Sequence, residues 1–131
     1  MYTINKREIF SDILELKDSK GKSVEISFTL NTSPQNIKEY RKLYVEFIDL
    51  QKQAQSDGST EDALEKIGRC VVDLFDLIFG AENTKVILEF YDGDYAEMVI
   101  DIFPYIQDVV APQFNQAVKT MRKNIKRRFW K

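Results

Sequence analysis

Histidine is absent from this chain of 131 residues, cysteine occurs once, and glycine only five times. Without imidazole, most general-base, nucleophile-activating and zinc-binding arrangements are excluded together. The lone thiol, Cys70, has no partner for an internal disulfide, which fits a reducing compartment. With so few glycines and no GxxxxGK[ST] or GxGxxG sequence, a phosphate-cradling loop is not expected. No apolar run approaches the roughly 18 residues that a membrane span requires. The opening MYTINKREIF lacks the apolar segment of a signal peptide. Repeats, low-complexity tracts and long linkers are also missing. These absences predict a cytoplasmic protein with residues 1–131 in a single domain.

Charge is balanced in sum and lopsided in placement. The net charge is −2, yet seven of the 19 basic residues and none of the 21 acidic ones fall in 119–131. That leaves residues 1–118 with 12 basic against 21 acidic side chains, a net of −9. An acidic body with a basic end suggests head-to-tail contact between copies, or a separate anionic partner. The plainer alternative is a last helix whose lysines and arginines are simply solvated.

The apolar pattern divides the chain into one strand pair and a series of helices. Ser23 to Leu30 alternates, with Val24, Ile26, Phe28 and Leu30 on one face, the period of a half-buried strand. A turn-rich Asp18–Lys22 joins it to the mixed run 9–17, giving a hairpin over 9–31. Because an isolated hairpin is marginal, helices must cover its apolar face. Asn31-Thr-Ser-Pro34 is a helix start, with Ser33 or Thr32 as cap and Pro34 in the first turn. The helix it opens runs from about 34 to 55 on Ile37, Tyr40, Tyr44, Phe47 and Ile48. A second helix spans Ser59 to Gly80, capped by Ser59 or Thr60 and closed by Gly80. Leu64, Ile67, Val71, Leu74, Phe75 and Ile78 form its buried stripe.

Ala81 to Tyr91 reads as a short helix, although VILEFY alone would also suit a strand. Asp92-Gly93-Asp94 is a turn, with Asp94 capping a helix that should end or kink near Phe103, before Pro104. The pattern resumes through Val110 and stops at Pro112. From Gln113 a last helix should face Phe114, Val118, Met121 and Ile125 inward and its basic residues outward. The predicted fold class is α+β, mainly α, with an N-terminal β-hairpin (9–31) packed on a bundle of about four to five helices. The helical core spans 33–112 and a basic C-terminal helix or tail spans 113–131.

Candidate chemistry is sparse. Cys70 has no activating base and adjoins the buried stripe, so it reads as a packed core residue. Asp73 with Asp76, and Asp92, Asp94, Glu97 and Asp101, are carboxylate groupings of the kind that bind Mg²⁺. They serve equally as solvated faces, turn and cap, and no second cluster converges on them. Neither a catalytic group, a metal site nor a cofactor is therefore assigned. The basic segment KTMRKNIKRRFWK interleaves cations with aromatics, as nucleic-acid-binding segments do, but overall acidity argues against broad nucleic-acid affinity. Lys119, Arg122, Lys123, Lys126, Arg127, Arg128 and Trp130 are the candidate partner-binding residues. Tyr2, Tyr40, Tyr95, Phe129 and Trp130 are candidate aromatic anchors.

The order of segments resembles a known family. The hairpin ILELKDSKGKSVEISFTL is followed by EYRKLYVEFIDL, a helix ending in LFDLIFG, and the run AENTKVILEFYDGDYAEMVIDIFPYIQDVV. Over residues 9–111 this layout is similar to the tail assembly chaperones of long-tailed bacteriophages and prophages of Gram-positive bacteria. The resemblance implies a non-enzymatic, non-virion protein of the host cytoplasm that coats the tape-measure protein and helps recruit tail-tube subunits. Members of the family are often also made in a longer form by programmed frameshifting near the end of the reading frame, and a slippery A-rich heptamer over Lys123-Asn124 is a hypothesis the nucleotide sequence tests; a homo-oligomer is expected as well. The alternative is a small nucleic-acid-associated regulator acting through the basic end. Residues 113–131 lie outside the resemblance.

Overall fold

A computed structural model gives the fold and describes residues 1–4, 9–57 and 61–129, apart from the side chains of 56, 57, 124 and 126–129. Strands β1 (Ser11–Lys17) and β2 (Ser23–Thr29) pair antiparallel with Leu14 opposite Ile26. The Asp18 carboxylate holds their turn by accepting from the amides of Lys20 and Lys22 at 2.9 and 2.8 Å. Alternation buries Ile26, Phe28 and Leu30 on the face toward the helices.

The helices follow as α1 (Pro34–Asp57), α2 (Glu61–Phe79), α3 (Ala81–Phe90), α4 (Tyr95–Tyr105) and α5 (Ala111–Phe129). Ser33 caps α1, its Oγ accepting from the Asn36 amide at 3.3 Å. The expected cap of α2 at Ser59 or Thr60 lies outside the described residues. Gly80 takes φ +91°, open to glycine and strained for other residues, and turns α2 directly into α3. Within the segment VILEFY the chain is helical through Phe90, and Tyr91 caps the helix. Asp92 and Gly93, both at positive φ, end α3, and the Asp94 carboxylate caps α4 by accepting from the Glu97 amide.

The helix ends expected near Phe103 and at Pro112 are corrected. The chain neither stops at Phe103 nor begins a new helix at Gln113. It stays helical through Pro104, passes through a π-helical turn at Ile106–Val110 and enters α5 with Pro112 in its first turn. The Ala111 amide bonds back five residues to the Ile106 carbonyl. A proline lacks its own donor and crowds the carbonyl four residues earlier, so a widened turn just before Pro112 relieves the conflict. It also keeps Ile106, Val110 and Phe114, spaced at fours, facing one core.

That core draws on β2 and all five helices. Phe47, Phe75 and Phe114 are almost wholly enclosed, each worth roughly 1.5–3 kcal/mol of burial. Phe28 sits edge-on to Phe79 at 4.9 Å, fixing the hairpin against α2, while the Asn83 Nδ2 donates to both the Ser27 and Phe79 carbonyls. Tyr40 stacks on Phe114 at 4.4 Å and Tyr44 on Phe103 at 5.8 Å, so α1 lies antiparallel to the α4–α5 path. Two members of the expected stripes are exposed instead: Leu64 at 53% and Ile125 at 57%. Both sit near helix ends that extend past the packing.

Candidate docking surface

The basic residues predicted for partner binding begin on α5. At about 100° per residue, Lys119, Arg122 and Lys123 share one side of this helix, opposite Ala117 and Met121. Their side chains are exposed. Among the described side chains Ala117 is the last buried one of α5, and beyond Met121 each described side chain (Arg122, Lys123, Ile125) is exposed. The helix therefore leaves the core while its amphipathic pattern continues. Lys126, Arg127 and Arg128 fall within the helical backbone of α5; Trp130 lies outside the described residues. Among the described residues the ion pairs are Lys17–Glu15 at 3.0 Å and Arg69–Glu65 at 2.9 Å, so none engages Lys119, Arg122 or Lys123.

Two open grooves flank the same helix. One, of about 530 Å³, lies between α1 and the start of α5, lined by Tyr40, Arg41, Tyr44, Val45, Gln107 and Asn115 among others. Val45 is 58% exposed there, and the Gln107 amide reaches the Tyr44 hydroxyl at 3.5 Å. The other, of about 430 Å³, separates the start of the hairpin from α5 and is lined by Ile9, Phe10, Gln113, Gln116 and Thr120. Sequence reasoning missed both, because each needs the antiparallel placement of elements far apart in the chain.

Of the aromatic anchors, Tyr2 is exposed at 89% and Tyr95 at 38%. Tyr95 packs over Gly68, where an added Cβ would lie 2.9 Å from its ring. Tyr40 is a correction: it is buried by its stack on Phe114 and belongs to the core.

The reactive candidates have structural partners. Cys70 is buried, and its Sγ donates to the Leu43 carbonyl at 3.4 Å. Burial, with the nearby Glu46 and Asp73 carboxylates, pushes its thiol up to about 11, away from thiolate chemistry at neutral pH. Asp94 is occupied as a cap, and Asp101 accepts from the Tyr91 hydroxyl at 3.1 Å. Among the described residues no three acidic or thiol groups converge as metal ligands would. None of the described helices is long and apolar enough to cross a membrane.

No family model matches this chain, and no match was found to a curated protein or a solved structure.

Proposed function

We propose that this protein is a non-enzymatic assembly module, and specifically a tail assembly chaperone of a long-tailed bacteriophage or prophage, acting in the host bacterial cytoplasm. It would hold the tape-measure protein and help recruit tail-tube subunits. One observation carries the binding role: α5 runs past the core with exposed Ile125 on one side and, on the other, Lys119, Arg122 and Lys123, unpaired among the described residues. An amphipathic helix of this kind gains by covering its apolar stripe with another protein. The more specific assignment rests on the resemblance of residues 9–111, whose hairpin-then-helices order the fold shares.

Co-expression with a long coiled-coil protein, if the flanking reading frame encodes one, tests this reading. Co-purification of the two, with loss of solubility of the long protein when this chain is omitted, is the expected result. A long partner that stays soluble alone and never co-purifies would overturn it. A gene for a major tail protein just upstream, and a very long reading frame just downstream, would support the phage assignment independently.

The same cations favour a second reading, a nucleic-acid-associated regulator. It requires steeply salt-dependent DNA or RNA binding that disappears when 119–131 are deleted.

A further inference from the structure

We infer that the α5 arm docks on the acidic outer face of α4 in a second copy of this chain, joining copies head to tail. The two surfaces are complementary blocks of one sequence. From Val86 to Val118 there are six acidic residues and no basic one; from Lys119 to Lys131 there are seven basic residues and no acidic one. All six are exposed: Glu97 and Asp101 lie on α4 with Asp94 as its cap, Glu89 and Asp92 precede it at the end of α3 and in the turn, and Asp108 follows it in the π-helical turn. None of them forms an ion pair among the described residues.

The chain cannot satisfy this complementarity internally. Helix α4, the π-helical turn and α5 form one continuous helical path, with Tyr105, Ile106 and Ala111 all at right-handed helical dihedrals. Glu97 and Arg122 are thus some 25 residues apart along it, or about 37 Å at 1.5 Å per residue. Salt screens exposed charges beyond about 8 Å at physiological strength. Along this path the α4 carboxylates Glu97 and Asp101 cannot reach the cations of their own arm, so they can meet such cations only in another copy.

Apolar side chains match as well. Ile100, 72% exposed, stands among the acids of α4, and Ile125, 57% exposed, stands on the arm. A contact between two different patches is heterologous, so repetition closes a ring or extends a filament. The inference deepens the assembly reading by naming how copies join, and it rests on that reading only for its biological purpose.

Sedimentation velocity of the purified full chain at low and high salt tests it. The expected result is a mass above the 15.3 kDa monomer at low salt that falls toward the monomer at high salt. Reversing the arm (K119E, R122E, K123E) or the α4 face (E97K, D101K) should each weaken self-association by about tenfold or more. Mixing the two variants should restore it, because each arm then meets an opposite face. Unchanged circular dichroism and melting keep misfolding apart from lost docking; for a face variant that melts early, E97K alone serves, since the Glu97 side chain makes none of the described hydrogen bonds and only its amide bonds to the Asp94 cap. A wild-type monomer at low salt, association indifferent to either reversal, or failure of the mixture to re-associate overturns the inference. Monomers that bind a DNA duplex through the arm would do so in favour of nucleic acid. A wild-type chain that stays monomeric yet co-purifies with its client removes this contact and spares the assembly reading; a wild-type chain that self-associates as expected but captures no client removes the assembly reading alone.

Discussion

The Tyr105 hydroxyl donates a 2.6 Å hydrogen bond to the Asp12 carboxylate, joining β1 to the end of α4 across 93 positions of sequence. Phe28 meets the same tyrosine ring edge-on at 6.3 Å. The hairpin is therefore fastened to the helices at its open end by a charge-assisted bond laid over an apolar contact.

Tyr105→Phe should keep the ring contact and lose the bond. The expected cost is about 1 kcal/mol, a fall in Tm of about 4 °C for a chain of this size. The Tyr105 hydrogen bond, with the Ile13 amide, holds the Asp12 carboxyl below its ordinary value, so its contribution is present above the usual carboxylate pKa and lost as pH falls through the lowered one. Burial, with the bond to Asp12, raises the Tyr105 hydroxyl, so that contribution is full below about pH 10 and fades only above it. Urea titrations should show the wild-type advantage over Tyr105→Phe constant from pH 5 to 9 and shrinking below about pH 4. An advantage that grows on acidification would contradict the assignment.

At Gly80 an added Cβ meets nothing within 4 Å, so the backbone alone decides the effect of substitution. With φ at +91°, Gly80→Ala should destabilise by about 1–3 kcal/mol, without altering the near-UV spectrum of the aromatic core. Equal stability would mean that the α2–α3 junction relaxes to another geometry.

Gly68 poses the opposite case, an ordinary helical position under the Tyr95 ring. Alanine should gain roughly 1 kcal/mol in helix propensity and lose a similar amount by displacing the ring. Gly68→Ala should then be close to neutral, and clearly stabilising when Tyr95 is also changed to Ala. Additive effects in that double-mutant cycle would show that the two residues do not touch.

Much of this fold is legible in the residues themselves. Clean alternation over Ser23–Thr29, the Ser33-Pro34 start and the Asp94 cap each act locally, and each stands where its chemistry requires. The mixed run before Lys17 is harder to read because Asp12 lies on the half-buried side with Leu14 and Leu16 while Ile13 is 60% exposed, and the partner that accommodates Asp12 there, Tyr105, is far along the chain. Pro104 reads as a helix end or kink, and Pro112 as an end, because proline's local penalty is visible and the π-helical turn that carries the chain on is not. Leu64 and Ile125 continue their stripes correctly, but periodicity does not say where neighbouring elements run out. The basic face of α5 was legible for the same local reason as its stripe. The α1–α5 groove was not, since it exists only once Tyr40 has found Phe114.

Cys70 offers a direct test of how closed this core is. Its sulfur is bonded to the Leu43 carbonyl, and burial first, then Glu46 and Asp73, push the thiol from an ordinary 9.0 up to about 11. That rise leaves about a hundredfold less thiolate at neutral pH than in the unfolded chain. Because the folded pKa is raised, the stability linked to the neutral thiol is full below about pH 9 and is lost as pH climbs toward 11. Iodoacetamide should therefore label the native protein at least about a hundredfold more slowly than the urea-unfolded chain. The native rate should track the opening of the α1–α2 contact as urea is raised. Rapid labelling in the absence of denaturant would show that Cys70 reaches solvent through local opening, and that the seam between α1 and α2 is weaker than its packing implies.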